Sequence, residues 1–509
     1  MNGREHWATR IGLILAVAGS AVGLGNFLRF PGQAASHGGG AFIIPYFIAL
    51  AFLGIPLMWV EWAMGRFGGT RGHGTAPGVF KAIWPGRVSK YLGVFGIAFP
   101  FVVLIYYTYI ESWTLAYSYF ALTGAYSGIG TREEMGHFLS SFFGAGGSKV
   151  AYFFFILTLL LNFAVIYRGI SRGIELLAKI AMPVLFVLAI ALVVRVFTLG
   201  TPDPGHPDRN VVNGLAFLWN PKLSALGDLN VWLAAAGQVF FTLSVGFGVI
   251  LTYSSYLRKH DDIALSGLTT AMTNEFAEVI LAGSLAIPLA FMFFGPIASQ
   301  EIAKAGIFDL GFMSLPIVFD RLPLGALLGC LWFGLLFFAG ITSSVSLAQP
   351  AVAFLEDELG WPRSKASMAL LVLVLVAIQP VILTPGFLDE LDFWAVNVGI
   401  VVFGAIEIIM FVWVFGMNKA WGEIMSGADI RVPRIFYYVL KYVTPLYMIG
   451  LLVLWIHQQG MAKLLLEGVP QEEVPWRWAA RGLIVLVIAA TMVMVGFARR
   501  LTSEAANNG

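Results

Sequence analysis

The chain has 509 residues, 58% of them hydrophobic and 12% charged, with a formal net charge of +2 and a single cysteine. Soluble domains carry roughly 25% charged residues, and here apolar segments of roughly 20 residues recur along the whole length, so a soluble globular protein is excluded and a polytopic helical membrane protein is expected. The near-neutral charge argues against nucleic acid as a partner, and the lone Cys330 excludes an intrachain disulfide.

Length and apolarity predict about twelve membrane spans within one transmembrane domain, 1–509. In chain order they are 10–36, 40–68, 88–124, 150–168, 173–198, 229–258, 263–295, 325–356, 364–383, 392–416, 435–456 and 477–499. The first run does not read as a signal peptide: it is too long, it is broken by glycines, and no small-residue cleavage site follows. The Pro-, Asp- and Asn-rich stretch 199–228 reads as a loop, and 299–322 as an amphipathic helical hairpin lying on the protein. The tail SEAANNG reads as disordered. Basic residues set the orientation. Residues 66–90 hold Arg66, Arg71, Lys81, Arg87 and Lys90 with no acid, while 384–392 is acidic. Both termini are therefore expected in the cytoplasm.

Two spans break the habit of a plain membrane helix. The first contains GSAVGLGNFLRF, Gly19 to Phe30; the sixth contains FFTLSVGFGV, Phe240 to Val249. These interruptions come first in each of two segments, 10–198 and 229–416, with 435–499 supplying two additional helices. Interrupted helices at matching positions point to a midplane binding site in an inverted-repeat transporter. Glycines for close helix packing are the alternative. Elsewhere, Ala339, Thr342 and Ser343 share one helical face, as do Val103, Tyr107 and Glu111. The oxygens of Asn26, Thr242 and Asn274 suit a hard cation, or an interhelical hydrogen bond.

GSAVGLGNFLRFP, FFTLSVGFG, FFAGITSS (337–344) and FLDELDFWA (387–395) resemble the neurotransmitter:sodium symporter family. The likeness runs from REHWATR (4–10) to the last spans and is weakest around 125–148. It implies an all-α, LeuT-like fold: about 12 transmembrane helices in a 5+5 inverted repeat, with helices one and six broken. It implies a first Na⁺ site from Ala21, Asn26, Thr242 and Asn274, completed by a substrate carboxylate. A second Na⁺ site would use Gly19, Val22, Ala339, Thr342 and Ser343. The substrate carboxylate would meet Tyr107 and the amides of Leu24 and Gly25. Its ammonium would meet carbonyls of Ala21, Phe241, Thr242 and Ser244. Val103, Phe241, Phe247, Ser343 and Leu347 would surround its side chain.

Gly23 stands where the monoamine branch has an aspartate, which favours an amino acid bringing its own carboxylate. The resemblance pairs Arg29 with Asp392 as an outer gate, with Tyr107 and Phe247 beneath. It pairs Arg4 with Asp357 as an inner gate, with Trp7, Ser255, Tyr256 and Gln349 around them. Glu278 stands where chloride-dependent relatives have serine and bind chloride near residues matching Tyr46, Gln238 and Thr242, so chloride-independent transport is expected. Glu61 and Glu111 receive no role. The expectation is thus sodium-coupled symport of a neutral, apolar amino acid across the cell membrane, with two Na⁺ and no enzymatic activity. No HExxH or GxSxG motif and no metal cluster is seen in the sequence. An amino-acid-binding receptor or an ion channel are the rival readings. Spans nine and twelve are candidates for a homodimer face.

Overall fold

The computed structural model describes residues 5–306 and 308–498; Arg4 and the SEAANNG tail lie outside the described residues. The described chain is helical, apart from an isolated bridge between Gly39 and Pro221. In chain order the helices are α1 (Arg10–Ala21), α2 (Leu24–Ser36), α3 (Gly40–Gly69), α4 (Ala76–Ile83), α5 (Ser89–Thr123), α6 (Arg132–Phe143), α7 (Lys149–Tyr167), α8 (Ile170–Phe197), α9 (Val211–Trp219) and α10 (Leu229–Thr242). They continue as α11 (Val249–Ser254), α12 (Ala264–Ala305), α13 (Leu315–Asp320), α14 (Gly325–Asp357), α15 (Arg363–Leu383), α16 (Phe387–Val414), α17 (Met417–Met425), α18 (Ile435–Trp455) and α19 (Val474–Phe497).

Among the described residues, ten helices are each long and apolar enough to cross a bilayer. The α1/α2 pair, bent by 47°, makes one more crossing position. The sequence reading expected about twelve; α10 and α11, on either side of the second break, are each too short to count as a span. Helices dominate because lipid offers no partners to backbone N–H and C=O groups, and a helix satisfies them within itself. The two breaks therefore need a local explanation. At Val22 the backbone leaves the helical region (ψ 83°), and Gly23 is extended (φ −113°, ψ −166°). After Thr242, Ser244, Gly246 and Gly248 all take positive φ.

Two segments differ from the sequence reading. The stretch 199–228 is not simply a loop, because it holds α9. Asn210 caps that helix by accepting from the Asn213 N–H at 3.0 Å, and α9 packs along α12. The amphipathic hairpin begins earlier than expected. Gly295 (φ 73°, ψ 175°) turns the chain inside α12, so 296–305 forms its first arm. The second arm is 309–314 followed by α13. Arg132 of α6 ties this hairpin down through Asp309, 3.1 Å from Nε.

The centre of the molecule is α5, 89% buried over its most apolar window, lying along α14 in the most extensive helix contact. The corresponding window of α19 is only 22% buried, so that helix is peripheral. Both breaks face this central pair. The turn in the second break depends on glycine. A Cβ on Gly248 would stand 2.6 Å from the Gly96 carbonyl oxygen of α5, at a φ of +72°. Gly248→Ala is expected to cost about 1–3 kcal/mol from backbone strain alone. Thermal unfolding of the purified protein in detergent checks this; an unchanged melting temperature would contradict the contact.

Candidate functional site

The two breaks touch. The Ser20 carbonyl, near the end of α1, accepts from Ser244 Oγ at 2.9 Å and from Ser343 Oγ of α14 at 3.2 Å. Around this junction lies a cavity of about 30 Å³, room for little more than water. Of the substrate residues expected from sequence, Ala21, Gly25, Val103, Tyr107, Phe241, Ser244, Phe247, Ser343 and Leu347 line it. Leu24 and Thr242 do not. Leu24 instead turns its N–H to the Tyr107 hydroxyl at 3.2 Å. Ser20 and Ser346 also line the cavity, with their hydroxyls 2.7 Å apart, and sequence reasoning missed both. Ser346 is three residues after Ser343, on the same helical face, and that spacing was the available signal.

Small residues shape the floor. A Cβ on Gly23 would stand 2.8 Å from Ser343 Oγ and 3.0 Å from the Tyr107 hydroxyl, which leaves no space for an aspartate. A Cβ on Gly25 would stand 2.0 Å from Phe241 Cε1, so the phenyl ring lies directly on this bare backbone.

Beside the cavity Ala21, Asn26, Thr242 and Asn274 come together. Asn26 Oδ1 accepts from the Gly23 N–H at 2.8 Å and so caps α2. Asn26 Nδ2 lies 2.8 Å from the Asn274 side-chain amide and 3.0 Å from Thr242 Oγ1. The same end of the Asn274 amide lies 3.3 Å from the Ala21 carbonyl and 3.2 Å from the Thr242 carbonyl. With its oxygen at that end, three acceptors converge, a donor set suited to a hard cation. With its nitrogen there, it bonds both carbonyls.

Behind this cluster is a buried carboxylate pair. Glu278 accepts from Gln238 Nε2 at 2.8 Å, from Asn26 Nδ2 at 2.8 Å and from Thr242 Oγ1. Glu275, missed from sequence, accepts from the Tyr46 hydroxyl at 2.8 Å. It directly follows Asn274, so its position on the buried face could have been read one residue on.

The second set lies where α14 crosses the first break. Ser343 Oγ reaches the Gly19 carbonyl at 3.4 Å and the Ala339 carbonyl at 3.1 Å; Thr342 Oγ1 reaches Ala339 at 3.1 Å. A Cβ on Gly19 would meet Thr342 Cβ at 3.1 Å, so the two helices are in contact here. At Val22, the remaining residue of the expected set, the backbone has left the helical region (ψ 83°). Among the described residues no group of three or more His, Cys, Asp or Glu could hold a metal. Both sets are built from carbonyl, amide and hydroxyl oxygens.

Two acids without a sequence role prove to be anchors. Glu61 of α3 accepts from the Gly246 N–H at 2.6 Å, holding the second break. Glu111 of α5 accepts from Asn162 Nδ2 at 2.9 Å, and Ser344 donates to Asn162 Oδ1.

On the outer side Arg29 and Asp392 do not bond each other. Arg29 donates to Asn397 Oδ1 at 3.0 Å and stacks on Phe241, 4.6 Å from the ring centre. Asp392 accepts from the Tyr106 hydroxyl at 2.7 Å. Asn397 lies in the widened turn Phe393–Gly399 that follows Asp392. Just outside, Glu390 accepts from Arg481 at 2.6 Å, Trp394 at 2.7 Å and Arg477 at 3.3 Å, tying α16 to α19.

On the inner side Trp7 donates to the Tyr253 carbonyl at 2.9 Å and meets its ring edge-on. Gln349 donates to the Tyr256 hydroxyl at 2.9 Å and accepts from Arg363, which sequence reasoning did not single out. Ser255 Oγ donates to the Thr252 carbonyl. Asp357, at the end of α14, is half-buried; its expected partner Arg4 is outside the described residues.

Asp262 closes this side by capping α12 and pairing with Arg10 of α1 at 2.7 Å. Burial pushes its carboxyl pKa up. The N–H groups of Asp429, Ser266 and Leu265 and the Ser266 hydroxyl pull it down further, and the net direction is below 3.8. A depressed folded pKa stabilises above the unfolded value and is lost as pH falls through the folded one. The melting difference between wild type and Asp262→Asn is therefore expected to hold steady above about pH 4 and to shrink below it. Melting curves across pH 3–7 check this, and a difference independent of pH would contradict it.

The model of the sodium:neurotransmitter symporter family matches residues 4–128 and 140–503. An uncharacterized sodium-dependent transporter of Methanocaldococcus jannaschii is 32% identical over 454 residues, covering 87% of this chain and 88% of the relative. The sodium-dependent neutral amino acid transporter B(0)AT1 of Mus musculus is 30% identical over 304 residues, 55% of this chain and 45% of its own length. Among solved structures, the crystal structure of MhsT in complex with L-phenylalanine superposes with a TM-score of 0.76. The two chains are 32% identical, and the match covers 89% of this chain and 99% of that one.

Proposed function

The chain belongs to the sodium:neurotransmitter symporter family and is a multi-pass, sodium-dependent transporter, and from that premise we propose that it carries a neutral, apolar amino acid into the cell with two sodium ions. The observation that carries this reading is the junction of the two breaks. Backbone groups freed at 21–25 and 241–246 face one small cavity, with the Asn26–Thr242–Asn274 cluster on its flank. Half-helix N-termini direct partial positive charge at an anion, and freed carbonyls suit cations. A zwitterion and sodium together supply both partners.

In this reading the substrate carboxylate takes the Leu24 N–H that Tyr107 now occupies, with the tyrosine hydroxyl donating to it instead. The ammonium meets the carbonyls of the second break. Phe241 swings off Gly25 to admit the side chain, which packs on Val103, Phe247 and Leu347. The apolar lining supports a neutral aliphatic or aromatic substrate, as do the neutral amino acid named for B(0)AT1 and the L-phenylalanine bound by MhsT. The first cation set touches the cavity, so ion and substrate carboxylate stabilise each other there. The second set lies between α1 and α14, where it couples the ion to how the first break sits on the central helix.

Alternating access then needs weak closures that can part. Trp7–Tyr253 and Gln349–Tyr256 close the inside, and Arg29–Phe241 with Arg29–Asn397 cover the outside. The basic loop 66–90 supports an N-terminus in the cytoplasm. Each sodium moving inward would gain about 2.3 kcal/mol per 100 mV.

Uptake of labelled amino acids into proteoliposomes tests the reading. The expected outcome is saturable accumulation that needs an inward sodium gradient and favours phenylalanine, leucine or their apolar analogues. Binding without accumulation would instead support a receptor, and unsaturable ion currents a channel. Glu278 places a carboxylate where its three donors can hold a negative charge, so replacing chloride by gluconate is expected to leave uptake unchanged. Glu278→Ser is expected to make uptake depend on chloride; equal rates in both anions would argue against the charge-substitution role.

A further inference from the structure

A second cavity lies on the N-terminal side of the membrane, well away from the breaks. It is a groove of about 440 Å³ between the last turns of α16, the start of α17 and the first turns of α18. Its apolar wall includes Val412, Trp413, Phe415 and Tyr437, and two basic residues also line it, Lys419 of α17 and Lys441 of α18. Trp413 Nε1 donates to the Lys441 carbonyl at 2.9 Å, which fixes the two walls against each other.

The charge balance around the groove is one-sided. Between Gly416 and Lys441 the chain has four basic residues, Lys419, Arg431, Arg434 and Lys441, and two acids, Glu423 and Asp429. Both acids are already engaged: Glu423 with Arg66 of α3 at 3.2 Å, and Asp429 with Arg10 of α1. Among the described residues neither groove lysine has a carboxylate partner. Each instead lies near an aromatic ring, Lys419 5.6 Å from the centre of Phe415 and Lys441 5.0 Å from that of Tyr442.

The groove also opens sideways. Trp413, Tyr438 and Tyr442 are about half exposed, as aromatic side chains at a membrane interface are. Beyond them Val443 and Leu446 continue the exposed surface of α18 as an apolar track. The groove thus offers two lysines without a carboxylate partner at one end and an apolar track at the other. An ammonium in the headgroup would find no free acid in the 416–441 segment to meet it.

We propose that this groove holds an anionic phospholipid, its phosphate between Lys419 and Lys441 and an acyl chain along Val443 and Leu446. Basic pockets between transmembrane helices at the inner leaflet bind such headgroups, and each lysine is expected to contribute roughly fivefold in affinity.

The test is lipid retention by the purified full-length protein in detergent. Phosphatidylglycerol and phosphatidylcholine of identical chains are titrated separately and read by native mass spectrometry, with inorganic phosphate as a third arm. Wild type is expected to retain phosphatidylglycerol in preference to phosphatidylcholine, with inorganic phosphate failing to displace it. Lys419→Gln and Lys441→Gln are each expected to weaken retention about fivefold, and the double variant about 25-fold. Lys259→Gln with Lys365→Gln, basic residues on the same side of the membrane, should leave it unchanged. Equal retention of both lipids, displacement by inorganic phosphate, an unaffected double variant, or an equal loss in the Lys259/Lys365 control would each overturn the proposal.

Discussion

A backbone amide or carbonyl released from its helix inside a bilayer has no water to turn to, and leaving it unpaired costs several kcal/mol. The arrangement at the centre of this protein follows from that constraint. The chain leaves the helical path at Val22–Gly23 and again at 243–248, and the surrounding residues divide the freed groups between them. Asn26 takes the Gly23 N–H, Tyr107 the Leu24 N–H and Glu61 the Gly246 N–H, while Ser244 and Ser343 donate to the Ser20 carbonyl. Asn26, Tyr107, Glu61 and Ser343 come from four different helices and Ser244 from the second break itself, so these bonds tie both breaks to α2, α3, α5 and α14.

The same constraint accounts for three of the buried acids. Buried carboxylates are tolerated in a membrane where donors converge on them. Glu278 has amide and hydroxyl donors from α2 and α10, Glu275 has Tyr46, and Glu111 has Asn162. None of these contacts is an ion pair with a lysine or arginine. Arginines are kept to the rims, where Arg29 borrows an aromatic face and Arg66 spreads over the carbonyls of Asp261, Glu423 and Ser426.

The spans and both breaks were legible because they depend on strong local signals: apolar length, and glycines set beside Asn, Thr or Ser within an apolar run. Thr342 and Ser343 were legible because i, i+3 and i+4 spacing survives in an unbroken helix. What was not legible depended on neighbours distant in sequence. Nothing near Arg29 announces that Asn397 rather than Asp392 will meet it, since both lie more than 360 residues away. Glu275 looks like any acid beside Asn274 until Tyr46 of α3 is placed over it. Helix α9 was hidden differently: its proline-rich approach reads as loop, and only the Asn210 cap marks where the loop ends.

The carboxylate of Glu390 is shared between helices that belong to different parts of the chain. It is only 3% exposed, and Arg477, Arg481 and Trp394 all point at it. Pulling α16 away from α19 at this end would strand that charge in a poorly hydrated place with most of its donors gone. The two helices are therefore joined there as one mechanical piece. Two guanidiniums of the peripheral α19 thus clasp one carboxylate of α16, pinning the rim of the molecule to its outer face.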